Sequence, residues 1–346
     1  MSQERKLRAA VVGLSVGQYH VYDYFNSPSV EEIILCETDP KRLQEVGDGY
    51  GISKRYTDFS EMLEKEKPDV VSLAVPNFLH CPMAVQALDS GCHVLCEKPL
   101  ARSAAEAQKM VEAMQRSGKR LMVNFNQRFM PECRALKAMI DDGVLGDIYF
   151  VRTVWQRQRG VPWGYPLARG KESCGGGAVI DLGVHVLDRA FWMCGYSEAE
   201  WVLANTFSNI APREAKERGM EHFALEDMGV AMVRLKNGAM LELEASWAAN
   251  RGEEAIITRV YGSKGGAILH SVKGNYVYLE RKPAEVETLP LDSSAFQDGY
   301  TIRQAFLDAI LADKEVPCTA FEGMQLNQVL DAVYQSAAES RAIQLI

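Results

Sequence analysis

The sequence has no excess of basic residues. Its 346 residues include 38 lysines and arginines against 46 aspartates and glutamates, which gives a formal net charge of −8. Nucleic acids and anionic membranes are bound by basic surfaces, so this balance argues against both as partners. It places no restriction on a small neutral substrate.

Long apolar runs and closely paired cysteines are also missing. No stretch approaches the ~20 apolar residues of a membrane-spanning helix, and the opening residues MSQERK lack the apolar core of a secretory signal. The eight cysteines include no Cys-x-x-Cys pair, which argues against a zinc site. Cys36, Cys96 and Cys194 fall in predicted strands or helices, as reduced thiols often do. We therefore expect a cytoplasmic protein with no bound metal.

Glycine is scarce in the first loop. An apolar strand, residues 7–12, ends at Gly13, and a helix follows shortly after. The usual dinucleotide fingerprint is G-x-G-x-x-G, but Ser15 occupies the place of the second glycine and the loop is one residue shorter. Backbone N–H groups at a helix start can still hold a diphosphate, which makes Gly13, Ser15, Val16 and Gly17 candidate cofactor ligands. The alternative is a plain strand-to-helix turn.

Strands and helices alternate regularly through the first part of the chain. This rhythm predicts an α/β Rossmann domain over residues 1–128, with a doubly wound parallel sheet. The predicted strands are 7–12, 32–36, 70–75, 92–96 and 121–125, and the predicted helices include 19–26, 80–90 and one capped by Ser103 that ends at Gly118.

The rhythm changes after residue 128. Segments alternating at period two, with turns between them, predict an α+β domain over residues 129–346 with an open, mostly antiparallel sheet. The predicted strands are 146–155, 230–235, 239–247, 256–262 and 275–280, and the predicted helices are 178–194, 300–311 and 321–340.

An acidic residue ends the second predicted strand. Glu37 lies 24 residues after Gly13, where a carboxylate can accept both ribose hydroxyls of the adenosine and repel a 2′-phosphate. This position favours NAD over NADP. Lys41 and Arg42 are close enough in sequence to leave NADP open.

The strongest local motif is Glu97-Lys98-Pro99. It follows a predicted parallel strand at its carboxyl end, where open sheets of this kind bind ligands. Pro99 restrains Lys98 to an extended geometry, and burial or a nearby cation would tune the lysine for proton transfer. A surface salt bridge between neighbours is the alternative.

A second motif, GGGAVIDLGVHVLD, covers residues 175–188. On a helix Asp181, His185 and Asp188 form a stripe, and His185 can exchange a proton near neutral pH. Gly183 in the helix interior indicates close approach of a cofactor or of backbone. A buried polar pair on a capped helix is the alternative.

These motifs together resemble the Gfo/Idh/MocA family of glucose–fructose oxidoreductases and inositol dehydrogenases. The matching stretches are AVPNFLH (74–80), EKP (97–99), NFNQRF (124–129), residues 175–188 and EASW (244–247). The resemblance implies that Lys98, Asp181 and His185 are catalytic, that Pro76, Asn77, His80, Glu97 and Lys98 line the cofactor, and that the open sheet forms dimers or tetramers. The shortened phosphate loop departs from the family pattern.

Four residues are candidates for substrate contact. By resemblance the loop 157–163, RQRGVPW, borders the nicotinamide and substrate, so Arg159 and Trp163 would bind a sugar and Trp163 the cofactor as well. A structural or subunit-contact loop is the alternative. Arg128, in the matching NFNQRF stretch, and Tyr300 are also expected to contact substrate. For Tyr300 the alternative is a packed ring.

The resemblance implies an NAD-dependent oxidoreductase that transfers a hydride between nicotinamide and a secondary alcohol of a sugar, glycoside or polyol. C3 oxidation of a glycoside is the narrower expectation. His185 would take the hydroxyl proton, Lys98 would polarise the same oxygen, and Asp181 would hold a neighbouring hydroxyl or the imidazole. Two alternatives stay open: a cofactor-sensing regulator without catalysis, and a dehydrogenase of a non-sugar such as a linear tetrapyrrole or dihydrodiol.

Overall fold

A computed structural model describes residues 5–164, 170–220, 223–283 and 285–345. Contacts divide the chain into two units, residues 1–125 with 300–324 and residues 126–299 with 325–346. This division differs from the domain limits predicted from the sequence, 1–128 and 129–346, chiefly because residues 300–324 group with the first unit. None of the described helices is both long and apolar enough to cross a membrane.

The described residues form the following strands and helices. The strands are β1 (Leu7–Val12), β2 (Val30–Cys36), β3 (Arg55–Tyr56), β4 (Val70–Leu73), β5 (His93–Cys96), β6 (Leu121–Val123), β7 (Ile148–Gln156), β8 (Ala199–Phe207), β9 (Met228–Leu235), β10 (Met240–Ser246), β11 (Ala255–Gly262), β12 (Gly265–His270), β13 (Tyr276–Lys282), β14 (Glu285–Pro290) and β15 (Ile343–Gln344). The helices are α1 (Gln18–Phe25), α2 (Pro40–Tyr50), α3 (Phe59–Glu66), α4 (Asn77–Asp89), α5 (Ala104–Ser117), α6 (Pro131–Asp141), α7 (Lys171–Cys174), α8 (Val184–Met193), α9 (Ala211–Glu217), α10 (Ile302–Leu311) and α11 (Ala320–Glu339).

The first unit contains a parallel sheet in the order β3-β2-β1-β4-β5-β6, which confirms the predicted doubly wound fold. Its central strands β1 and β4 are buried at every position except Arg8 because helices cover both faces. The cap predicted at Ser103 is present, because its side chain accepts from Glu106 N, and the side chain of Asp39 caps α2 in the same way by accepting from Lys41 N and Arg42 N. The two-residue strand β3 and the helix α3 were not predicted.

The second unit contains a nine-stranded sheet in the order β14-β13-β12-β11-β7-β10-β9-β8-β15. Every pairing is antiparallel except β7 with β10, so the predicted open, mostly antiparallel sheet is confirmed. Residues alternate between buried and half-buried along β9, as in a sheet with one covered face. Helix α8 packs on β7 and β10.

The predicted helix 178–194 has two parts. Residues Val179–Gly183 form a π-helical turn, and α8 continues directly from it. Glycine is required at residue 177, just before this turn, because a Cβ there would lie 2.0 Å from the Glu226 carbonyl oxygen, and a Cβ on Gly176 would displace the Tyr334 hydroxyl, whose oxygen would lie 2.0 Å away. π-Turns inside helices occur often at functional sites.

Candidate active site

The loop after β1 is a tight turn that depends on two glycines. Gly13 has a φ of +81°, and a Cβ there would lie 2.4 Å from the carbonyl oxygen of Ala74. A Cβ on Gly17 would lie 2.0 Å from the carbonyl oxygen of Gly13. Ser15 and Val16 are exposed between them, and α1 begins right after Gly17. This turn leaves exposed backbone at the positive end of a helix, which fits a diphosphate.

Glu37 lies against this loop. Its Oε2 accepts the backbone N–H of Leu14 at 2.8 Å, and its Oε1 accepts that of Asp39 at 3.1 Å. The residue is 8% exposed, and Nη1 of Arg42 lies 3.7 Å from Oε2. A fixed carboxylate with lone pairs remaining beside the nucleotide loop fits the ribose hydroxyls of an adenosine.

Glu97 belongs to a buried polar cluster at the end of β5. Its Oε1 accepts from Nε2 of His20 at 3.0 Å and from the side-chain amide of Asn124, and its Oε2 accepts the backbone N–H of Lys98 at 3.2 Å. Burial by itself raises the pKa of Glu97, but the hydrogen bond and charge of His20, followed by the charge of Lys98 and the Asn124 amide, lower it to about 2. A carboxylate therefore persists beside Lys98 at every physiological pH.

His80 connects two loops of the first unit. Its ring nitrogens lie 2.9 Å from the carbonyl oxygen of Val75 and 2.8 Å from that of Pro99, and the side chain is fully buried. Burial lowers the pKa of His80. Pro76 and Asn77, at the start of α4, are half-buried on one of these loops. His80 would thus act on a cofactor through the backbone that it holds, whereas Pro76 and Asn77 lie nearer the surface.

Asp181 and His185 are both half-buried in the second unit. The indole Nε1 of Trp247 donates to Oδ2 of Asp181 at 2.8 Å, and the ring of Trp155 lies 5.4 Å from that of His185, centroid to centroid. Asp181 lies in the π-turn and His185 in the first turn of α8. The close packing at Gly183 is against side chains of strand β10, because a Cβ on this glycine would lie 3.3 Å from the Cβ of Ala245.

Asp188 does not share these surroundings. It is buried and forms a two-pronged ion pair with Arg128, with Nε 3.0 Å from Oδ2 and Nη2 2.6 Å from Oδ1, and the hydroxyl of Tyr196 also donates to it at 2.9 Å. Burial raises the pKa of Asp188, against the influence of Arg128. Arg128 is only 3% exposed, which argues against its predicted contact with substrate. Arg128 and Asp188 instead support the helix from inside.

The remaining candidates lie in two places. Arg159 pairs with Glu214, Nε to Oε1 at 3.1 Å, and Trp163 packs against Phe223 and Arg218, at 5.5 Å between ring centroids and 4.9 Å from the guanidinium carbon. Residues 165–169, which follow the predicted loop 157–163 closely, lie outside the described residues. Tyr300 is exposed in the first unit, and its hydroxyl donates to Asp308 at 2.9 Å. Substrate contact by Arg159, Trp163 and Tyr300 stays a prediction.

Comparison with known proteins identifies the family. Residues 7–125 match the family model described as "Oxidoreductase family, NAD-binding Rossmann fold", and residues 133–268 match the GFO/IDH/MocA C-terminal domain. The chain is 30% identical to D-glucoside 3-dehydrogenase of Escherichia coli (strain K12), over 98% of this chain and 97% of that protein. The chain belongs to the GFO/IDH/MocA oxidoreductase family. The predicted resemblance is therefore confirmed.

Other relatives of this GFO/IDH/MocA oxidoreductase are named for sugars. Levoglucosan dehydrogenase of Pseudarthrobacter phenanthrenivorans is 27% identical over 78% of this chain and 71% of that protein. A solved structure of levoglucosan dehydrogenase in complex with NADH superposes with a TM-score of 0.87 at 23% identity and covers 99% of this chain and all of the other. At that identity the superposition shows a common fold.

The described residues of this family member fit the NAD-binding fold. The tight turn at Gly13 and Gly17 and the carboxylate of Glu37 supply what a dinucleotide needs at its diphosphate and its ribose. In the described part of the chain, no group of three or more His, Cys, Asp and Glu side chains could hold a metal ion.

Sequence reasoning missed three side chains of the site. It assigns no role to His20, yet this residue contacts Glu97, and it assigns none to the side chains of Asn124 and Trp247. A weak signal exists for His20, since it falls three residues after Gly17 in the first turn of α1. Its partner is 77 residues away in sequence, and no local pattern connects the two.

Proposed function

We propose that this protein oxidises a secondary alcohol on the ring of a glycoside, at C3, with NAD as the hydride acceptor. The observation that carries the proposal is the pair formed by Asp181, fixed by the indole of Trp247, and His185 on the following turn. The relatives named D-glucoside 3-dehydrogenase and levoglucosan dehydrogenase support the substrate class.

Each catalytic side chain has one task in this proposal. His185 accepts the proton of the substrate hydroxyl, Lys98 stabilises the negative charge that develops on the same oxygen, and Asp181 holds a neighbouring hydroxyl or the imidazole. As the proton leaves, the carbinol carbon gives up its hydride and becomes a ketone. Bound NAD supplies the acceptor for that hydride at C4 of its nicotinamide.

The cofactor preference rests on Glu37. Its carboxylate would accept the ribose hydroxyls of NAD and repel the 2′-phosphate of NADP. Arg42 offsets part of this repulsion because it lies 3.7 Å away, but it also contacts the carboxylate of Asp39. NAD is therefore the preferred cofactor.

The proposed sugar contacts are Trp163 and Arg159, with Tyr300 as a further contact. An indole face stacks on the apolar face of a sugar ring, and a guanidinium donates to its hydroxyls. These contacts follow from the family resemblance and from the chemistry of the side chains.

We also propose that the protein is a homodimer or homotetramer in the cytoplasm. One face of the nine-stranded sheet carries Leu203, which is 46% exposed, and Met232 directly opposite it on the next strand. Neighbouring apolar side chains on the open face of a sheet are typical of a surface that a second copy covers. All eight cysteines lie among the described residues as reduced thiols, which suits a reducing compartment.

One screen tests the proposed activity. Purified protein is mixed with NAD and a panel of polyols, aldoses and glycosides, and the absorbance of reduced nicotinamide is followed. Bound nucleotide is extracted and identified in parallel, because a tightly held cofactor would hide turnover. Reduction with a glycoside, lost in His185→Ala, supports the proposal. NAD binding without reduction by any substrate would favour the cofactor-sensing regulator instead.

A further inference from the structure

We infer that His20 is a positioning residue that orients Lys98 through the carboxylate of Glu97. The inference rests on the proposed function, because it assigns a second layer of residues to the same catalytic lysine. His20 lies in the first turn of α1, directly after the nucleotide loop, and it is fully buried. Glu97 and Lys98 follow β5, at the same carboxyl edge of the parallel sheet as that loop.

The contacts form a short chain. Nε2 of His20 lies 3.0 Å from Oε1 of Glu97, and the amide of Asn124 donates to the same oxygen. The other oxygen, Oε2, accepts the backbone N–H of Lys98 at 3.2 Å. Because one oxygen is held by two side chains, rotation of the carboxylate is restrained, and its second oxygen is kept aimed at the backbone of Lys98. Fixing that backbone fixes the point from which the lysine side chain extends.

Two buried polar atoms of the cluster lower the stability of the fold, and packing alone does not explain why they are there. Nδ1 of His20 and Oδ1 of Asn124 are buried, and neither has a hydrogen-bond partner among the described residues. An apolar side chain at either position would avoid that cost. The hydrogen bond to Glu97 therefore explains why polar side chains, those of His20 and Asn124, occupy these buried positions.

Three variants test the inference. His20→Leu keeps the bulk and removes the donor. His20→Gln is the rescue variant, because its amide nitrogen can reach the position of the imidazole Nε2. His93→Leu is the matched control: His93 begins β5 at the end far from Lys98, and its Nδ1 accepts the backbone N–H of Arg120. It therefore removes a hydrogen-bonding histidine from the same sheet without touching the cluster.

Each variant is measured in four ways: the melting temperature, the dissociation constant for NAD, kcat with a glycoside, and hydrogen exchange of the Lys98 amide. Exchange needs no substrate, so it tests the positioning of Lys98 even if the proposed function fails. We expect His20→Leu to speed exchange at Lys98 by about tenfold or more and to lower kcat by up to about 10²-fold, as a small misplacement of a catalytic group does. NAD binding should change far less than kcat.

The rescue and the control decide the outcome. His20→Gln should recover most of kcat and most of the amide protection, and His93→Leu should change neither, even where it lowers the melting temperature as much. In a Glu97→Gln background, His20→Leu should add little, because it acts through Glu97. Normal exchange and normal kcat in folded His20→Leu would overturn the inference, as would equal losses in His93→Leu. If the wild-type protein reduces NAD with none of the substrates tested, the proposed function is refuted. Hydrogen exchange at Lys98 then tests the inference by itself.

Discussion

Individual side chains in this site are oriented by partners that are themselves buried. Trp247 is 2% exposed and gives its indole N–H to Asp181, and Glu97 is held by His20 and Asn124. A carboxylate that is already hydrogen-bonded before the substrate arrives does not have to reorganise during the reaction. In a preorganised site of this kind, mutation of an orienting residue lowers kcat more than it weakens substrate binding.

The catalytic assignment predicts matched losses at Lys98 and His185. Lys98→Ala and His185→Ala should each lower kcat by about 10²- to 10⁴-fold, because each removes an interaction that strengthens as the proton leaves. The double variant should lose less than the product of the two. Thermal melts and turnover are measured on the same preparations. Near-normal kcat in folded His185→Ala would remove the assigned base.

The proposed role of Glu37 at the ribose predicts that its replacement changes the preference between NAD and NADP. Glu37→Ala should narrow the gap between NAD and NADP affinity while leaving the chemical step largely unchanged, because the carboxylate acts on the ribose. Glu37→Gln is the matched variant, since it keeps an acceptor for the Leu14 N–H and removes only the charge. Both cofactors are titrated by calorimetry. Tighter binding of NADP than of NAD by the wild type would contradict the assignment.

At the scale of elements, short irregular segments between regular helices and strands hold residues of the candidate active site. The π-turn Val179–Gly183 presents Asp181, and its start is held by Glu226, which accepts the N–H groups of Gly177 at 2.8 Å and Val179 at 3.1 Å. Four-residue spacing on an ideal α-helix predicts that Asp181, His185 and Asp188 share a face. The i→i+5 bonding of a π-turn changes that spacing.

The junction of β5 with its loop predicts a pH dependence of stability. The pKa of Glu97 is about 2 in the folded protein, below its ordinary 4.5, so its stabilising effect is complete above about pH 4.5 and is lost as the pH falls towards 2. The free energy of unfolding of the wild type, relative to that of Glu97→Gln, should decrease by about 2 kcal/mol between about pH 4.5 and pH 3, and by about 3 kcal/mol in all by pH 2. Urea denaturation of both proteins between about pH 6 and pH 3 measures this. A difference independent of pH would contradict the prediction.

At the scale of the whole molecule, the open face of the second unit's sheet predicts assembly. Leu203, Met232 and Glu242 lie in one row across β8, β9 and β10. Leu203→Asp would replace an exposed apolar side chain of that row with a charge and should shift the protein towards monomers, as measured by light scattering. Val272→Asp is the control, because Val272 is 62% exposed in the turn between β12 and β13. A wild-type protein that is monomeric at micromolar concentration would contradict the prediction.

Much of the fold could be predicted from local sequence alone. The parallel sheet of the first unit follows from buried apolar runs separated by capped helices, and the caps at Asp39 and Ser103 form within their own turns. The Glu-Lys-Pro motif and residues 175–188 also identified the family, because their spacing along the chain is specific. These features depend on neighbours a few residues apart, and a sequence displays such neighbours directly.

Other features were decided only by tertiary structure. Arg128 pairs with Asp188 across 60 residues of sequence, which argues against its predicted contact with substrate, and His20 meets Glu97 across 77 residues, a contact that the sequence does not single out. Residues 300–324 likewise group with the first unit although they follow most of the second. In each case the outcome is set by how elements distant in sequence pack together. For a buried polar group, a charge of given sign has many candidate partners in the sequence until packing selects one.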